Sequence, residues 1–163
     1  EIKRDLEAKG TPMSYNEMEK LAENAAESVS FINPNDESFA QPRDMIEKIR
    51  SAVEKSGQQP LSDTASVIRC VYDSLAAEFA RTAEDIEKIT GRSYKKIYMF
   101  GGGTKDSLIC RLTARASGKT VVAGPTEATS VGNALCAFVG SGVISSVKEA
   151  RQIVIKAGMT REY

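Results

Sequence analysis

Residues 95–124 read KKIYMFGGGTKDSLICRLTARASGKTVVAG. Within them Ile97 to Phe100 make a short β-branched and aromatic run that stops at Gly101, Gly102 and Gly103, the pattern of a buried strand. Leu108, Ile109 and Leu112 then recur at helical spacing until Gly118, and "TVVAG" returns to a β-branched run. Strand, glycine loop, helix and strand in that order predict parallel strands joined by a crossover helix. The expected fold class is α/β.

Downstream, Gly124-Pro125 marks a turn, and "EATSVGNALCAFVGSG" reads as a helix rich in small residues. Glu127 is an acid in its first turn, and Gly132, Ala134 and Ala137 leave a face narrow enough for close packing on a neighbour. Glu127 and its neighbours are also placed to wall the space opposite the glycine loop. Ser146 and Glu149 have capping-box spacing ahead of the last helix, "VKEARQIVIKAG".

Upstream the chain is helical. Asp63 caps a long helix with Ile68, Tyr72, Leu75, Phe79, Ile86 and Ile89 on one stripe and Gly91 as its stop. A coiled coil is the competing reading of that stripe, but ordered flanking charges over enough heptads are missing. Met45, Ile46, Ile49 and Val53 predict another helix with Pro42 in its first turn and Ser56-Gly57 at its end. Ser14 and Glu17 form a capping box that starts an earlier helix. Between these two, Val29, Phe31 and Ile32 read as a short extended piece leading to the turn Asn33-Pro34-Asn35-Asp36. With no repeat and no low-complexity linker, the halves are expected to share one core, as a single domain spanning 1–163.

Composition narrows the function. Lys+Arg and Asp+Glu are both 22, so the net charge is zero and there is no basic footprint for nucleic acid. No apolar run approaches the roughly 20 residues of a membrane span. The opening "EIKRDLEAKG" has neither a signal peptide's apolar core nor an initiator Met, so the chain is expected to be cytoplasmic and cut from something longer. There is no His, which removes Ser-His-Asp triads, most zinc sites and the usual partner of a nucleophilic Cys. Cys70, Cys110 and Cys136 each lie among apolar helical residues and are expected to be buried free thiols.

The glycine loop is where chemistry could reside. A strand that ends in glycines and feeds a helix aims several backbone N–H groups at one spot, where the helix dipole favours an anion. The Thr104 hydroxyl and Asp106 carboxylate sit at the helix start. The same residues would equally serve a tight turn with Thr104 or Asp106 as a plain N-cap. Two phosphate motifs fail outright. G-x-G-x-x-G counted from Gly101 meets Asp106 at its sixth position, and a P-loop ending at "SGKT" 117–120 would need glycine where Thr113 stands. Gly118 is accordingly read as a helix stop and Lys119 as solvated.

The long run "GGGTKDSLICRLTARASGKTVVAGPTEATSVGNA" resembles the C-terminal signature of the FGGY carbohydrate kinases. With it, "FINPNDESFAQP", "RCVYDSLA" and "GPTEATSVGN" are most similar to the rhamnulokinase branch. The resemblance runs from about residue 29 to 145. It implies a helix-rich part of an actin-like, ribonuclease-H-like C-terminal domain, in a sugar kinase that uses ATP and Mg2+ to phosphorylate a ketose such as L-rhamnulose, with L-fuculose and D-xylulose as alternatives.

By that resemblance Gly101, Gly102, Gly103, Thr104 and Asp106 would face the adenine nucleotide. The family commonly has Asn three residues after the last glycine, and Asp106 stands there instead, so an ionised side chain at that point can accept but not donate a hydrogen bond. The sugar site and catalytic base would lie in an N-terminal domain before Glu1, leaving no catalytic or metal-binding residue in this chain and no activity in this piece alone, which is expected to self-associate. A non-catalytic interaction module that docks through the helix 63–90 is the reading from another class.

Overall fold

The computed structural model describes all 163 residues. They group into two compact units, Glu1–Ile86 and Glu87–Tyr163.

In the first unit, helices α1 (Ile2–Ala8), α2 (Tyr15–Asn24), α3 (Met45–Lys55) and most of α4 (Thr64–Thr90) surround a core of Leu6, Met45, Ile46, Ile49 and Val67. The helix starts are well explained by local chemistry. Ser14 Oγ accepts from Glu17 N–H at 3.3 Å while Glu17 Oε2 accepts from Ser14 N–H at 2.7 Å, the reciprocal box expected for α2. Asp63 Oδ1 accepts from Ser66 N–H at 2.7 Å at the head of α4.

Helix α3 differs from expectation. It begins at Met45, so Pro42 lies ahead of it, and Arg43 and Asp44 turn the chain through positive φ of 80° and 51°. Its free N–H groups are served from far away, because buried Asp5 of α1 accepts from Ile46 N–H at 3.0 Å. Helix α1 is not among the elements expected from the sequence, although Ile2 and Leu6 stand one turn apart and both reach the core of this unit.

Helix α4 buries a different face from its apolar stripe. Ile68 is buried, but Tyr72 and Leu75 are half-buried, and Phe79, Ile86 and Ile89 are exposed, the last at 84%. The buried set instead includes Val67, Cys70, Ser74, Ala76 and Ala80. The cause is close approach of main chain: Cys70 Sγ donates to Ser30 O at 3.1 Å, and Ile32 N–H donates to Ser74 Oγ at 3.0 Å. Only small side chains leave room for that. The segment Val29–Ile32 pairs with no strand; Gln58 pairs with it, accepting from Phe31 N–H at 2.7 Å and donating to Phe31 O at 2.8 Å.

The second unit carries the α/β element. β1 (Lys96–Met99) and β2 (Thr120–Ala123) are parallel, with Ile97 opposite Val121, and α5 (Ser107–Ser117) crosses between them. Gly118 ends α5 at φ 64°, as a left-handed C-cap. α6 (Ala128–Gly140) and α7 (Val147–Lys156) follow, and β3 (Arg161–Glu162) adds an antiparallel edge to β2 that the sequence did not announce. The order β1-β2-β3 makes a small mixed sheet in a helix-rich α/β chain.

Two packing expectations fail here. No residue of α6 is buried, Ala134 and Ala137 are exposed, and no atom comes within 4 Å of a Cβ built on Gly132, so its small face has no close neighbour. Cys136 on that helix is exposed, while Cys70 and Cys110 are buried free thiols as expected. At α7, Ser146 Oγ accepts from Glu149 N–H at 3.2 Å, but the Glu149 carboxylate turns one residue further back, to Ser145 N–H at 2.9 Å. No helix is long and apolar enough to cross a membrane.

Candidate functional site

Between β1 and α5 the chain makes a 3-10 turn, Gly102–Lys105. Of the glycines only Gly101 uses a glycine conformation, at φ 90° and ψ −169°. Gly102 and Gly103 have no positive φ, are exposed, and have no atom within 4 Å of where a Cβ would stand. Neither strain nor crowding within the unit requires glycine at those two positions. What their lack of a side chain provides is bare main chain facing open space.

The loop is held from both ends. The Thr104 hydroxyl donates to Gly101 O at 2.7 Å and lies 3.3 Å from Gly124 O, and Gly101 N–H donates to Pro125 O at 3.4 Å. These contacts join the glycine turn to the turn after β2. Asp106 Oδ1 accepts from Ile109 N–H at 3.2 Å as the N-cap of α5. Thr104 and Asp106 therefore shape the loop, while Gly102 and Gly103 present it.

Beside the loop lies a cleft of about 530 Å³ whose walls include Thr104, Lys105, Gly124, Pro125, Glu127 and Arg161. The structure thus brings Thr104 together with Glu127, as the sequence suggested, but Gly101, Gly102, Gly103 and Asp106 do not line this cleft. Lys105 and Arg161 escaped sequence reasoning. Lys105 lies inside the GGGTKDS run, whose reading rests on the glycines, Thr104 and Asp106, and Arg161 arrives through a two-residue strand too short to show a period.

The "SGKT" stretch has a structural task. Lys119, only 13% exposed in its side chain, donates to Glu87 Oε1 at 2.8 Å and to Tyr94 O at 2.9 Å. It is a tether and is not the solvated side chain expected. No group of three or more His, Cys, Asp or Glu side chains converges as a metal site would require.

Residues 1–141 match the model of the FGGY family of carbohydrate kinases, C-terminal domain. The chain belongs to this family. Among curated proteins, this FGGY domain is similar to the rhamnulokinase of Bacteroides thetaiotaomicron, 32% identical over 150 residues that make 92% of this chain and 31% of that protein. It is likewise similar to the rhamnulokinase of Bacillus subtilis, 32% identical over 154 residues, 94% of this chain and 31% of that protein. The rhamnulokinase of Oceanobacillus iheyensis is 34% identical over 125 residues, 77% of this chain and 27% of that protein. The FGGY chain described here thus spans about a third of the length of the curated relatives it matches. Its helix-rich α/β architecture accords with the family's C-terminal domain of the actin-like kinase fold.

Proposed function

We propose that this chain is the nucleotide-facing part of the C-terminal domain of a cytoplasmic, ATP-dependent ketose kinase acting on L-rhamnulose. The observation that carries the reading is the open main chain at Gly102 and Gly103, which nothing in the fold itself demands. A nucleotide laid on that surface would meet backbone N–H groups and no side chain, and a Cβ would fill the space it needs. The names of the relatives support the sugar.

When bound, Mg2+-ATP supplies the γ-phosphoryl group for transfer to a primary hydroxyl of the ketose. This chain's residues orient. Gly101 turns the strand end at φ 90° so that Gly102 and Gly103 lie open, Thr104 ties that turn to Gly124, and Asp106 keeps α5 docked behind it. The sugar site and the base that accepts the hydroxyl proton belong to the rest of the kinase polypeptide.

The test is Gly102→Val in the full-length kinase, with ADP affinity measured by calorimetry and turnover measured on L-rhamnulose, L-fuculose and D-xylulose. The branch at Cβ should weaken ADP by at least tenfold, and L-rhamnulose should be the best substrate. Unchanged affinity and turnover would remove the glycine loop from the nucleotide site. A second reading, an interaction module docking through α4, draws on exposed Phe79, Ile86 and Ile89. It predicts that substitutions there abolish partner binding while ADP affinity is untouched.

A further inference from the structure

The zero net charge of the chain conceals two opposite halves. The first unit, Glu1–Ile86, holds 10 Lys and Arg against 17 Asp and Glu, while the second, Glu87–Tyr163, holds 12 against 5. The basic footprint that the whole sequence lacks is therefore present in the second unit. Screening beyond roughly 8 Å at physiological salt makes local charge, and not the chain total, what a bound polyanion meets. Lys96 and Lys119 are engaged by Glu162 and Glu87, whereas Arg92, Lys95 and Lys105 are exposed and stand outside these pairs.

Those three cations bracket an aromatic strand. β1 lies at the edge of the sheet, and its half-buried Ile97 and Met99 alternate with exposed positions. Tyr98 and, just past the strand, Phe100 stand two residues apart on one face, each 60% exposed. Their rings stack in near-parallel planes. The fold forgoes a side chain to keep them so, because the Phe100 ring occupies the place of a Cβ on Gly124. Arg92 and Lys95 precede the strand, and Lys105 closes the turn that follows it.

Paired exposed rings flanked by such cations suit one ligand chemistry. Single-stranded nucleic acid offers unstacked bases, whose faces lie on aromatic side chains, and a phosphate chain that tracks basic residues. A duplex offers the phosphates but keeps its bases stacked inside, and an anionic lipid surface offers charge without rings. We infer that this face of β1 is a stacking platform for single-stranded nucleic acid, with bases on Tyr98 and Phe100 and phosphates on Arg92, Lys95 and Lys105. The inference goes beyond the sugar-kinase reading and does not depend on it.

The experiment follows the anisotropy of a labelled single-stranded DNA of about 12 nucleotides as the full-length kinase is added. The annealed duplex should bind about tenfold more weakly or worse. Tyr98→Ala should weaken the single strand by about fivefold or more, and Tyr98→Phe should retain binding because the ring stays. Arg92→Gln with Lys95→Gln should also weaken it, and should reduce the slope of log K against log salt by about 1.4, the share of two phosphates. All three side chains are exposed, so unfolding midpoints should stay near the parent's. No binding, equal binding of strand and duplex, or indifference to Tyr98→Ala overturns the inference. So does displacement of the strand by saturating ADP, which would put it in the nucleotide site. A kinase dimer that Tyr98→Ala dissolves while strand binding is unchanged would give the face to a second copy and overturn it as well.

Discussion

The Phe100 ring lies over Gly124, with Cδ1 and Cε1 each 2.5 Å from where a Cβ on Gly124 would stand. Gly124 N–H donates to Met99 O at 2.8 Å, so the ends of the two strands are held at this distance by their backbone. Phe100 in turn stacks on Tyr98, centroids 6.4 Å apart and planes 10° from parallel. Gly124→Ala should therefore push the ring off its stack and destabilise the second unit by about 1 kcal/mol. In a Phe100→Ala background the same substitution should be close to neutral, which a double-mutant cycle on urea unfolding reads directly. Equal costs in both backgrounds would mean that the ring is not what excludes a side chain.

The glycines of the loop should separate in their effects. Gly101 sits at φ 90° and ψ −169°, a region nearly closed to other residues, so Gly101→Ala should cost about 1–3 kcal/mol of stability. Gly102 has neither positive φ nor a neighbour within 4 Å of a Cβ. Gly102→Ala should leave stability unchanged or raise it by up to about 1 kcal/mol, by restricting the unfolded chain. Thermal unfolding of the two variants distinguishes them, and equal destabilisation would show that Gly102 is also kept for the fold.

Local signals carried most of what the sequence made legible. The crossover β1-α5-β2, the box at Ser14 and Glu17, and the left-handed stop at Gly118 each depend on residues within a few positions of one another. What escaped depends on distance. The cap that Asp5 places on α3 spans 41 residues, and the small-residue face of α4 is buried because the main chain of Ser30 to Ile32 comes to it. An apolar stripe cannot report that, since hydrophobicity ranks Phe79 above Ser74 while the approaching backbone ranks them the other way. At the site, the glycines were visible as composition, whereas Arg161 comes to the same cleft as Thr104 and Lys105 only when β3 folds onto β2.

A buried ion pair organises the first unit. Arg69 Nε donates to Asp73 Oδ2 at 2.8 Å, with side chains 7% and 8% exposed. Asp73 also accepts from Ser28 N–H at 2.9 Å, and Arg69 reaches the carbonyls of Ala22 and Ala25, each at 3.2 Å. Asp73→Ala strands the guanidinium and should cost about 3–5 kcal/mol. Replacing both partners by apolar residues often restores stability in a simple pair, but here the Ser28 N–H and Ala25 carbonyl would lose their partners too. Arg69→Met with Asp73→Leu should thus remain well below the parent in urea unfolding. Full recovery would show that the backbone contacts add nothing.

The second unit should carry an acid-sensitive tether. Lys119 Nζ bonds Glu87 Oε1 at 2.8 Å, and Tyr94 N–H bonds the same oxygen at 2.6 Å. The Lys119 bond above all, and then the Tyr94 N–H, hold the Glu87 carboxyl below its ordinary value. A carboxyl that releases its proton more readily when folded stabilises the fold fully above the unfolded value, near about pH 4.3, and loses that contribution as pH falls through its lowered folded value. Lys119→Met removes the principal cause of the shift. Its unfolding midpoint should start lower at neutral pH and fall less steeply than the parent's from about pH 5 to pH 3. Parallel curves would show that acid acts on other carboxylates and that the tether does not titrate with the fold.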